Sequence, residues 1–135
     1  MQLQFCGGAC TVTGSQHLLT VNGNKVLLEC GLFQGRRAEA AEKNQHFAYD
    51  PATLDAVLLS HAHIDHSGNL PSLVARGYGG PIYATAATVA LCQLMLRDSA
   101  YLQERDIEWF NKIRRRRGEP LAEPLYRIED AEKAL

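Results

Sequence analysis

At 135 residues the chain is long enough for one domain with a modest core, and its 46% hydrophobic and 21% charged content is that of a globular protein, not a disordered one. Fourteen basic residues against fifteen acidic leave a net charge of −1, which excludes a global electrostatic pull toward nucleic acid; any such contact must come from local patches. No signal peptide opens the sequence and no apolar run approaches a membrane span, so the expected location is the cytoplasm, with no membrane contact.

In chain order, residues 3–5 start a short strand, and Gly7-Gly8 and Gly14-Ser15 punctuate the loop after it. That loop lacks the GxxxxGK spacing and opens no helix, so its glycines serve tight turns and not a phosphate cradle. Residues 17–21 read as a strand that includes His17, Asn22-Gly23 as a hairpin turn, and residues 25–30 as the partner strand. The four cysteines, Cys6, Cys10, Cys30 and Cys92, form no CxxC pair and have apolar or glycine neighbours, which predicts small buried thiols in a reducing compartment. Residues 36–44 are polar and alanine-rich and suit a short exposed helix, with Arg36 and Arg37 as solvated charges near the site.

Asp50 is placed to cap the turn at Pro51, and residues 55–60 form a buried strand. Asn69 then caps a helix that begins at Leu70-Pro71 and stops at Gly77. Residues 81–84 are a further strand, and Thr85 caps a long helix. Its buried face is predicted from Val89, Cys92, Leu96 and Ser99, widened by Met95 and Leu102 and extended by Trp109 and Phe110. Arg114, Arg115, Arg116 and Arg117 close it before Gly118. Cations there complement the helix dipole, and as a basic run they are also candidates for RNA binding. Residues 129–135 read as a helix that has only begun where the chain stops.

The chemistry concentrates in His61-Ala62-His63-Ile64-Asp65-His66, directly after the apolar run Ala56-Val57-Leu58-Leu59. Imidazole and carboxylate are donors that divalent zinc, iron or manganese accept. Side chains two apart in extended backbone share a side, so His61 and His63 can converge on one metal, while Asp65 and His66 follow where the strand must turn. The spacing thus predicts two adjacent metal sites. A cluster of this kind at a strand end is costly to desolvate unless something binds it.

This H-x-H-x-D-H pattern resembles the metal-binding motif of the metallo-β-lactamase superfamily. Residues 27–35, LLECGLFQG, and 59–71, LSHAHIDHSGNLP, resemble its β-CASP branch, which processes nucleic acids. Within that branch they are similar to bacterial and archaeal relatives of the endonuclease subunit of the mRNA cleavage and polyadenylation factor, as are residues 91–100 and Pro124-Leu125-Tyr126. The resemblance implies a mixed α/β (α+β) fold, a four-layer αββα sandwich of which this chain supplies roughly the first half. It also implies a zinc-dependent hydrolase cleaving RNA phosphodiester bonds with two zinc ions, one on His61 and His63 and the other on Asp65 and His66. Asp65 would take part in catalysis beside a metal-bound hydroxide.

Glu29 stands where the family usually has Asp, a residue that supports the ligands by accepting an imidazole N–H. The family completes its site from later segments, and no His follows His66 here, so residues 1–135 are expected to be the amino-terminal part of a longer enzyme, inactive alone, without the β-CASP cap. RNA is the implied substrate, and the complete protein admits a homodimer. The alternatives are another hydrolase of the fold, such as a thioesterase, or a non-catalytic subunit of an RNA-processing complex.

Overall fold

The computed structural model describes residues 1–135 except the side chain of Arg37, so the surface charge expected there lies outside the described residues. Three strands come first: β1 (Gln2–Gly7), β2 (Gln16–Val21) and β3 (Asn24–Leu28). After them come α1 (Arg37–Asn44), a single 3-10 turn (Pro51–Thr53), β4 (Ala56–Leu58), α2 (Ile64–Ser67), α3 (Leu70–Ala75), β5 (Ile82–Tyr83), α4 (Ala86–Arg117) and α5 (Ile128–Ala134). The strands form one five-stranded sheet in sequence order. β1 to β3 are antiparallel, and β3, β4 and β5 run parallel. The hairpin between β2 and β3 turns as its residues dictate: Asn22 and Gly23 have φ of 51° and 87°, the left-handed pair that a tight hairpin requires. Asp50 accepts a hydrogen bond from Ala52 N at 3.0 Å and starts the turn at Pro51.

The two faces of the sheet differ. Leu18, Leu27 and Val57 are register neighbours on β2, β3 and β4, and all are buried beneath the helices with Leu59, Leu70, Leu73, Cys92 and Leu96. The other face carries an aligned row across all five strands, Phe5, His17, Leu28, Leu58 and Tyr83. No helix covers that row: Phe5 is 62% exposed and Tyr83 57%. The chain therefore provides one sheet with helices on a single face, which is half of a four-layer arrangement.

Three expectations need correction. Val89, Leu102 and Trp109 do not join the buried face of α4; they are 39%, 54% and 63% exposed. The buried residues of that helix end at Ala100, because beyond it the helix leaves the sheet and packs on the returning segment 118–127. There Asn111 holds Ala122 through two hydrogen bonds of 2.8 Å, and Glu104 accepts from Ile128 N at 3.1 Å. Asn69 precedes α3 but its side chain does not cap it; it is buried with neither polar atom bonded among the described residues, whereas Thr85 does cap α4. Of the cysteines, Cys30 and Cys92 are buried, but Cys6 is half-buried and Cys10 is exposed in a left-handed turn. The helix expected over residues 129–135 is present as α5, braced by the bidentate Arg97–Glu132 pair and by Asp130 accepting from Arg127 N.

Candidate metal centre

The centre is built where the parallel strands β3 and β4 end side by side, with Leu28 opposite Leu58. The residue just after β3, Glu29, adopts φ of 64°, a region that non-glycine residues enter at a cost and hold only where the surroundings fix them. Two hydrogen bonds fix it: its N–H donates to Leu58 O at 3.0 Å, and its Oε1 accepts from Ser60 N at 2.9 Å. The carboxylate is thereby folded back over the loop that leaves β4.

That loop is laced by backbone hydrogen bonds to two other segments. Cys30 N donates to His66 O at 2.7 Å, Leu32 N to Ile64 O at 3.0 Å, Ser15 N to Asp65 O at 2.9 Å, and Asn69 N to Cys30 O at 2.9 Å. The approach is so close that a Cβ on Gly31 would lie 1.6 Å from Asp65 O. Glycine is required here by proximity, not by its own torsions. The short helix α2 is pinned from within, as Ser67 Oγ donates to Ala62 O and His63 O.

The side chains then converge. His66 Nδ1 lies 3.3 Å from Glu29 Oε2, and its other nitrogen, Nε2, is 3.7 Å from Asp65 Oδ2. His61 Nδ1 is 2.8 Å from Ser60 Oγ. The ring centres of His61 and His66 are 4.2 Å apart, and those of His61 and His63 4.6 Å. Glu29, His61 and His66 present ligand atoms that all lie within 4.8 Å of one another, half-buried. A carboxylate can only accept, so Glu29 takes the Nδ1–H of His66 and leaves Nε2 with its lone pair free. No Lys or Arg pairs with Glu29 or Asp65 among the described residues. Two imidazoles and a carboxylate gathered without a cation fit a divalent metal.

Spacing placed His61 with His63 and Asp65 with His66. In the structure these pairs are not spatially separate, since His61 stands as near to His66 as to His63 and His63 is solvent-exposed. The reason is local: residues 61–63 are irregular and α2 starts at once, which swings His66 back beneath Glu29. Sequence reasoning missed Ser60, Gly31 and Ser67. Gly31, beside Cys30 at a strand end, carried the readable signal of a close backbone approach. Farther away, Arg114 is engaged: Nη1 donates to Pro120 O at 2.5 Å and the guanidinium lies over Phe110 at 5.1 Å. Arg114 and Arg117 both approach Glu119, while Arg115 and Arg116 are exposed with no carboxylate within 4 Å among the described residues.

Residues 12–131 match the metallo-beta-lactamase superfamily, across strands β2 to β5 and the whole of this centre. The chain belongs to that superfamily. It is similar to the protein named ribonuclease TTHA0252 of Thermus thermophilus, with 44% identity over all of this chain and 27% of that protein. It is 38% identical to the transcription termination factor FttA of Methanothermobacter thermautotrophicus over 79% of this chain and 17% of that one. With Integrator complex subunit 11 of Danio rerio the identity is 35%, over 60% of this chain and 14% of that one. The chain thus spans about a quarter or less of the curated relatives it matches. Metal ions are what a metallo-beta-lactamase domain holds, in keeping with the His and Glu cluster.

Glu29 is testable by itself. Glu29→Gln keeps an oxygen for Ser60 N but loses the charge on His66, so metal affinity should fall by about 10–100-fold with the fold intact. Chelator competition measures this. A wild-type affinity would reduce Glu29 to a strand-end charge.

Proposed function

We propose that this domain is the amino-terminal part of a β-CASP nuclease, a zinc-dependent hydrolase that cleaves RNA phosphodiester bonds when complete. The observation that carries the reading is the convergence of Glu29, His61 and His66 where β3 and β4 end. The names of its relatives, a ribonuclease among them, point the same way.

In this reading His61, His63, Asp65 and His66 hold two zinc ions, and Glu29 and Ser60 orient the imidazoles by engaging Nδ1 of His66 and of His61. When bound, the metals supply Lewis-acid activation of water and neutralise charge on the phosphate. Asp65 adds a second carboxylate beside His66 Nε2, at the opposite ring nitrogen from Glu29. The backbone lacing of residues 30–32 onto 64–66 keeps these donors from splaying before metal arrives. Among the described residues no helix is long and apolar enough to cross a membrane, and the free thiols of Cys6, Cys10, Cys30 and Cys92 support placement in a reducing cytoplasm. A homodimer of the complete protein belongs to the same reading.

The test is metal content and RNA cleavage of the complete protein carrying His61→Ala and His63→Ala together. One metal equivalent should be lost by elemental analysis, along with cleavage. Unchanged zinc would sink the ligand assignment. Intact metal with activity on a thioester but none on RNA would favour the thioesterase alternative.

A further inference from the structure

Beyond Ala100 the helix α4 becomes an arm that stands clear of the sheet and carries a composition unlike the rest of the chain. Residues 101–117 hold six cations against three carboxylates, in a protein whose net charge is −1. Along one side of the arm run Tyr101, Arg105, Trp109, Lys112 and Arg116, at steps of four, four, three and four residues, which is a single helical stripe. The stripe faces solvent: Tyr101 is 50% exposed and Trp109 63%. Arg105 sits over the Tyr101 ring at 6.0 Å and pairs with Glu108, whereas Lys112 and Arg116 have no carboxylate within 4 Å among the described residues.

We propose that this stripe binds single-stranded RNA, its aromatic rings stacking on unpaired bases and its free cations meeting the phosphates. The inference rests on the reading that RNA is the substrate. Aromatic rings alternating with cations match a single strand, which alternates bases and phosphates, and every unpaired base offers a face for stacking. A duplex keeps its bases stacked within and gives Trp109 nothing to cover. Tyr, Trp and Arg also serve protein interfaces, so the rings alone do not decide; the unpaired Lys112 and Arg116 beside them favour a polyanion, since lysine is depleted where proteins dock. The arm also lies beside the metal loop: Ile64 shares a cleft with Met95, Leu102 and Asp106 of α4. Because that cleft contains Asp98 and Asp106, it repels phosphate, and the strand is held on the outer stripe.

The experiment uses the complete protein in EDTA, so that binding is read without cleavage, and a labelled unstructured RNA oligonucleotide followed by fluorescence anisotropy. Trp109→Ala should weaken binding by about tenfold, as loss of one stacked base does. Lys112→Glu with Arg116→Glu should weaken it too and flatten the salt dependence, each lost phosphate contact removing about 0.7 from the log–log slope. Both sites are on the surface, and circular dichroism confirms the helix. Wild-type affinity in both variants, or no RNA binding by the wild type, would overturn the proposal. So would variants that bind RNA normally but lose a subunit contact in ultracentrifugation, which would make the stripe a protein interface. The two readings fail separately: arm variants that bind normally while metal-dependent cleavage persists sink only the arm, and weakened arm binding in a protein that never cleaves RNA sinks only the nuclease.

Discussion

Gly31→Ala is expected to collapse the metal loop. The added methyl carbon would stand 1.6 Å from Asp65 O, 2.2 Å from Asp65 C and 2.8 Å from His66 N, all backbone atoms with no rotamer to yield. Relief requires residues 30–32 to part from 64–66, which breaks Cys30 N to His66 O and Leu32 N to Ile64 O, and one of the two bonds by which Ser15 bridges Gly31 N and Asp65 O. Each buried backbone group left without a partner costs about 1–3 kcal/mol, so the loss should reach roughly 3 kcal/mol or more, a large share of a small domain's stability. His66 would move away from Glu29 in the same displacement, and zinc retention should fall with it. Gly79→Ala is the matched control, since nothing lies within 4 Å of its Cβ position. Urea unfolding with metal analysis decides. A Gly31→Ala protein with the wild-type midpoint and zinc content would refute the close approach as the loop's organising constraint.

Much of this arrangement was legible because local rules and the fold agree. Asn22-Gly23 fixes a hairpin with both residues in left-handed torsions, Asp50 caps the turn at Pro51, Thr85 caps α4, and Gly118 at φ of 67° ends that helix. The ligand-type cluster marked a candidate site for the same reason: imidazoles and carboxylates gathered at a strand end suit a metal. The hidden part depends on partners distant in sequence. Glu29 lies 37 residues from His66, and only the parallel pairing of β3 with β4 sets the two together. Periodicity also overran its range in α4. Leu102 and Trp109 continue an apolar pattern, yet the sheet that would bury them ends near Ala100, so the same residues face solvent. A helical repeat reports which side residues share, not how far the core reaches along it. Asn69 shows the converse, a residue with every local mark of a cap whose side chain tertiary packing buried.

The second large effect concerns residues 1–135 as an isolated protein, which we expect to bind zinc weakly, to cleave no RNA and to self-associate. A catalytic zinc normally has three protein ligands, and a two-metal site clamps its ions a few ångströms apart. Here His61, His63, Asp65 and His66 give each of two proposed metals two ligands, and the structure gathers three donor side chains within 4.8 Å. The sheet points the same way. Its uncovered face presents Leu3, Phe5, Leu58 and Tyr83, between 42% and 62% exposed, on strands that also bring Leu28 and His17 into the aligned row. A contiguous apolar surface of this kind on a monomer is an interface or an aggregation site. Ultracentrifugation of the purified chain should show concentration-dependent association, and Phe5→Lys, on a strand at the sheet edge, should suppress it without disturbing the metal loop. EDTA-sensitive cleavage of single-stranded RNA by the 135-residue chain, free of contaminating nuclease, would overturn the expectation, since donors from this chain alone would then suffice. A protein that stays monomeric at high concentration would show instead that the row Phe5, His17, Leu28, Leu58 and Tyr83 tolerates water and needs no covering layer.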